Sequence, residues 1–188
     1  MKKILALNII LLITLLSGCL WYEVVEYTIH FNENLNSGSI TILYSNIQST
    51  ERDTAKIRSD FGDLLNMVTG DEHLLDGVEN GIYIKERGLL EENGQLKAYE
   101  KAIFRDLKVE DEKATIQNDQ RIMIFSNDDK DKIECNGKTE KLEKNTMLIW
   151  PKEQRDLYIK VTSTPRDSLS SLVAHYREWK RLGGGFKQ

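Results

Sequence analysis

Between Val25 and Phe31 apolar and polar residues take turns. Val25, Tyr27, Ile29 and Phe31 hold every second position, with Glu26, Thr28 and His30 between them. A period of two places one set of side chains on one face of a strand, so this segment predicts a half-buried β-strand. A mostly polar stretch at 32–38 follows, and Ile40, Ile42 and Tyr44 then resume the alternation. The pair predicts a β-hairpin with a longer loop. Further on, Ile82 and Ile84 on one arm and Leu96, Ala98, Ala102 and Phe104 on the other flank Asn93-Gly94. Asn-Gly is the preferred pair for a type I′ turn, which predicts a second hairpin. Its Glu86, Arg87, Glu100 and Lys101 read as cross-strand charge pairs on a solvated face.

The period changes between the hairpins. Ile57, Phe61, Leu64, Leu65 and Val68 recur at helical spacing, Ser49 or Thr50 offers an N-terminal cap with acids in the first turn, and Gly70 offers a stop. A helix is expected over 50–69. Short strands follow at 121–125, 132–135, 147–150 and 157–161, with Asn136-Gly137 as one turn and Pro151 ending a strand. The final element reads as a helix over 165–182. Thr164 is its cap, Pro165 its first position and Asp167 lies near the positive end. Leu169, Leu172, Val173, Tyr176 and Trp179 form its stripe, and basic residues precede Gly183. Hairpins with few crossovers give an α+β class: an antiparallel β-sheet built from hairpins, packed by two amphipathic helices.

Ahead of these elements stands MKKILALNIILLITLLSGC. From Ile4 to Leu16 the apolar run is 13 residues long, or roughly 20 Å as a helix. A bilayer core of about 30 Å needs about 20 apolar residues. The run is therefore too short to span, and Lys2 and Lys3 before it with Ser17 and Gly18 after it fit a signal peptide. Leu16-Ser17-Gly18-Cys19 resembles the bacterial lipobox. That resemblance implies cleavage between Gly18 and Cys19, a diacylglyceryl group on the Cys19 thiol and a further acyl chain, such as palmitate, on the freed amine. Residues 1–18 are then removed, and 19–188 form a single α+β domain with a short flexible tail at 183–188.

The mature part, about 170 residues, is long enough to bury a real core. The whole chain has 26 basic and 30 acidic side chains and a formal charge of −4. The leader holds two lysines and no acid, so the mature charge is more negative still. With no basic block, nucleic acid is not expected as a partner. Cys19 is committed to lipid and Cys135 has no second cysteine to pair with, so disulfides do not hold this fold.

Candidate chemistry is thin. His30, His73 and His175 lie on separate elements and show no metal-ligand spacing, so no metal or cofactor is expected. Ser171 and His175 are four apart on the final helix, but no nucleophile elbow precedes them. Asp128, Asp129 and Asp131 are interrupted by Lys130 and Lys132 and lack the central glycine of a calcium loop. Gly183-Gly184-Gly185 follows a helix instead of opening one, so it is not a phosphate cradle. Trp21 and Tyr22 stand out by position, because alternation is already running a few residues after Cys19. Five extended residues reach at most about 18 Å, against a radius of gyration of about 15 Å for such a domain. Either these rings contact headgroups, or they are core or edge residues of the first strand.

The leading reading is a lipid-anchored, non-enzymatic envelope protein that offers a binding or scaffolding surface close to the membrane, with an envelope protein as a possible partner. A carrier or sensor of a small apolar ligand or lipid comes second. A hydrolase of cell-wall or lipid material comes third. Leu20, rather than Asp, follows the lipid site. In a Gram-negative organism that implies the periplasmic leaflet of the outer membrane; otherwise the outer face of the cytoplasmic membrane is expected.

Overall fold

The computed structural model describes residues 20–34, 36–71, 74, 77–78, 81–105, 114–117, 119–126, 131–142 and 145–185. Gly18, Cys19 and the rest of the leader, with His73, Asp128 and Asp129, lie outside the described residues. The elements begin with β1 (Leu20–Phe31), β2 (Ser37–Ser49), α1 (Thr54–Thr69), β3 (Ile82–Glu92), β4 (Gln95–Arg105) and β5 (Ala114–Gln117). They continue with β6 (Gln120–Ser126), β7 (Lys132–Cys135), β8 (Lys138–Lys141), β9 (Asn145–Pro151), β10 (Asp156–Thr162), β11 (Ser170–Ser171) and α2 (Val173–Arg181).

The strands form two antiparallel sheets, not the one expected. The larger runs β3-β4-β2-β1-β10-β7, with β11 added to β2, and the smaller runs β5-β6-β9-β8. Both expected hairpins are present. Ile29 faces Ile40 and Tyr27 faces Ile42 in the first, and Leu89 faces Ala98 in the second. Asn93 and Gly94 both have positive φ, 53° and 75°, the signature of a type I′ turn.

The two sheets share one core. Tyr27, Ile29, Leu157 and Ile159 of the larger sheet and Leu148 and Trp150 of the smaller are at most 1% exposed and belong to one apolar cluster. Tyr27 meets Phe125 edge to face, with ring centroids 6.2 Å apart. Phe61, Leu64 and Val68 of α1, with Leu172, Val173 and Tyr176 at the start of α2, bury in the same cluster. Each such side chain contributes about 1.5–3 kcal/mol when fully buried.

The chain changes sheets between β7 and β8, across Asn136 and Gly137. The sequence reads these residues as a simple turn; they form a corner. Asn136 Oδ1 accepts from Trp150 Nε1 of the smaller sheet and from the Tyr158 amide of the larger, each at 2.9 Å. Its Nδ2 donates to the Asp156 carbonyl at 2.9 Å. A Cβ on Gly137 would lie 2.4 Å from the Ile149 carbonyl oxygen and 2.6 Å from the Trp150 ring, so only glycine fits.

Both helices start later than the sequence suggests. Asp53 caps α1, accepting from the Ala55 and Lys56 amides at 3.0 and 3.1 Å, and the first turn holds no acid. Ser49 is the last residue of β2. The second helix begins at Val173 instead of 165, without a side-chain cap. Thr164, Pro165 and Asp167 precede it as non-helical chain. The reason is tertiary. β4 parts from β2 after the Tyr44–Ala98 pair, leaving the edge at Gln48 and Ser49 open. Ser170 and Ser171 pair with those two residues, so strand pairing overrides the local helix signal.

Candidate functional site

The described chain starts inside a strand. Leu20 pairs with Ser49 from the first residue of β1, and β10 joins the other side of β1 from Val24 onward. Trp21 is 7% exposed. Tyr22 is half-buried and stands edge-on to Tyr44, with centroids 5.5 Å apart. The two rings flagged in the sequence therefore lie in the body of the domain.

The other flagged residues stay apart. His30, at the far end of β1, bonds the Asp156 carboxylate at 2.7 Å on an exposed surface. His175 stacks on Phe61 of α1, with centroids 6.0 Å apart. Ser171 is in β11, not on a helix with His175, and its hydroxyl accepts from the Val173 amide. Asp131 accepts from the Thr164 amide at 3.1 Å. No group of three metal-capable side chains occurs among the described residues. Cys135 is half-buried, and burial pushes its thiol pKa up.

The polar groups that matter physically are others. Between α1 and the larger sheet lies a cavity of about 50 Å³, lined by Tyr22, Tyr44, Ile47, Leu64, Met67, Val68, Arg87, Ala98, Tyr99 and Glu100. One water needs about 10–15 Å³ of such space, so the cavity has room for a few waters, whereas organic ligands occupy about 300–1,000 Å³. Glu100 is 9% exposed and sits on the core face of β4. Burial pushes its carboxyl up to about 7, with Arg87 acting in the opposite direction. Arg87 faces it across the β3–β4 ladder but bonds elsewhere. Its guanidinium donates to the Met67 carbonyl at 3.3 Å and to the Gly70 carbonyl, at the C-terminal end of α1. That end carries negative partial charge and favours a cation. The buried Tyr44 hydroxyl finds no hydrogen-bond partner among the described residues, and burial raises its pKa well above the ordinary value.

Glu100 corrects the reading of these charges as a solvated set. It stands in phase with Leu96, Ala98, Ala102 and Phe104, and that phase was the available signal. Lys101 and Glu86 do pair on the open face, at 2.8 Å and half exposed. Asp60 gives the same lesson on α1. Lying among Ile57, Phe61 and Leu64, it is 7% exposed and accepts a hydrogen bond from the fully buried Ser49 hydroxyl.

A further buried charge is Arg121, 4% exposed. Its guanidinium lies 3.5 Å from the centroid of Phe31, and Nη1 reaches the Gln154 carbonyl at 3.5 Å. Nη2 finds no partner among the described residues, and burial pulls the pKa down to about 10. A cation on an aromatic face offsets part of its desolvation. An open groove beside the sheet-changing corner is lined by Asp119, Gln120, Asn136, Gly137, Lys138, Ile149, Trp150, Pro151 and Gln154.

No protein-family model matches the chain, and no curated protein or solved structure matches it.

Proposed function

We propose that this chain is a lipid-anchored envelope protein whose domain works as a non-enzymatic binding or scaffolding surface held against the membrane. The observation that carries the reading is the position of β1. Its first residue, Leu20, is already paired in the larger sheet, and Leu20 directly follows the lipobox cysteine. Acyl chains on Cys19 would then enter the bilayer one residue away from folded structure, with no tether for the domain to swing on. A single acyl chain holds only marginally, whereas two or more, at about 0.8 kcal/mol per buried methylene, anchor stably. We read the helices as a cover over part of the larger sheet's apolar face, since Phe61, Leu64, Leu172 and Tyr176 bury with its strands.

A carrier of a small apolar ligand ranks second, because the cavity beneath α1 is far below ligand size and contains a carboxyl group. A hydrolase ranks third. The test is metabolic labelling with an alkynyl fatty acid in the native host, beside Cys19→Ala, followed by membrane fractionation and crosslinking. Label on the wild type, none on the variant, and a crosslinked partner that needs the anchor support the proposal. An unlabelled wild type overturns the anchor. A labelled protein that co-purifies with a lipid but no protein moves the carrier reading to first place.

A further inference from the structure

The cavity under α1 is too small for an organic ligand, yet it gathers an ionisable group, a phenol without a partner and the residue that holds one end of a helix. The smallest ligand it can bind is a proton. We propose that Glu100 and Arg87 form a proton-operated latch on the C-terminal end of α1. With Glu100 protonated, Arg87 stays on the α1 carbonyls. When Glu100 loses its proton to solvent, Arg87 is drawn across to the carboxylate and the helix end is released.

The geometry supplies both positions. Arg87 and Glu100 are direct partners in the antiparallel ladder, so their Cβ atoms lie about 4.5–5.5 Å apart. A change of side-chain rotamer suffices to bring them together. In the described arrangement the two make no ion pair, because Arg87 is spent on Met67 and Gly70. Glu100 therefore faces the cavity without Arg87 as an ion-pair partner. A buried carboxylate without a partner is costly, and the group answers by holding its proton until a cation arrives. Its carboxyl is pushed up to about 7, within the range an envelope protein meets.

The other groups around the cavity do not compete for this role. Tyr22 comes from β1, Tyr44 from β2 and Tyr99 from β4, and burial raises all three phenols. The α1 side contributes only Leu64, Met67 and Val68. Asp60, nearer the start of α1, is bonded to Ser49. His175 of α2 stacks on Phe61, outside the cavity.

The experiment is amide hydrogen exchange by NMR on the full chain in detergent micelles, expressed as protection factors between pH 5.5 and 8.5. The amides of Val68, Thr69 and Gly70 are expected to lose about tenfold in protection as pH rises through the Glu100 midpoint. Glu100→Gln is expected to keep them protected throughout, and Arg87→Gln to leave them unprotected throughout. A wild-type profile without pH dependence overturns the latch. So does a fall that persists in Glu100→Gln. Should either variant fail to fold, the wild-type Glu100 carboxyl carbon and the Arg87 Nε signal are followed together. Co-titration near neutrality supports the latch. A carboxyl that titrates in the ordinary range near 4.3 overturns it.

Discussion

Replacing Asn136 by Ala cuts the corner at which the two sheets meet, and the structure sets the cost. Three side-chain hydrogen bonds disappear: to Trp150 Nε1, to the Tyr158 amide and to the Asp156 carbonyl. The backbone bond from the Asn136 amide to the Tyr158 carbonyl remains. A typical bond contributes about 0.5–1.5 kcal/mol net, and a buried donor left unpaired costs about 1–3 kcal/mol. Trp150 is fully buried, so its indole N–H has no water to turn to, whereas the Tyr158 amide is near solvent. The sum is about 3 kcal/mol. Urea unfolding of the soluble domain, followed by far-UV circular dichroism, reads this directly. Trp150→Phe removes the indole donor by itself, so a double-mutant cycle isolates that one bond, with an expected coupling of about 1–2 kcal/mol. Because both sheets share one core, the slope of free energy against urea is expected to stay at its wild-type value. A loss below about 0.5 kcal/mol for Asn136→Ala, or no coupling in the cycle, would refute the account of the corner.

Other outcomes follow from the same packing. Glu100 holds its proton more tightly in the folded chain than in the unfolded one, so its contribution is complete below about pH 4.5 and fades as pH rises through about 7. Glu100→Gln is therefore expected to match the wild type near pH 4.5 and to exceed it by about 3 kcal/mol above pH 8; equal stability at pH 8 would contradict the burial argument. Asp60→Ala strips the buried Ser49 hydroxyl of a charged acceptor and is expected to cost about 1.5–3 kcal/mol in thermal unfolding. Gly137→Ala drives a methyl into the Ile149 carbonyl and the Trp150 ring and is expected to cost about 1–3 kcal/mol, with a neutral result showing that the corner can move.

The two hairpins, β1–β2 and β3–β4, are the most legible part of the chain, since local chemistry and strand pairing agree there. Asn93-Gly94 demands its turn, and the alternation of Val25 to Phe31 is the burial pattern of β1. The smaller sheet was not legible as a separate sheet. Met123 and Phe125 alternate in the same way whether β6 pairs with β9 or extends the larger sheet, because a period of two reports a buried face and not a neighbour. β8, Lys-Thr-Glu-Lys, is mostly exposed and offers no apolar period. β11 exists only because β2 outruns β4. At the cavity, the phase of Glu100 was visible, but its isolation was not. That depends on Arg87 reaching a helix end 17 residues earlier in the chain, which no local pattern encodes.

β1 is an interior strand, hydrogen-bonded to β2 on one side and to β10 on the other. Were Cys19 to carry the proposed anchor, a pull on it would enter through Leu20 and run along that strand. A load directed along a strand strains its ladder bonds in shear, all at once, whereas a load across an edge strand peels them one by one. The strand nearest the proposed anchor is thus also the one placed to bear tension along its own axis.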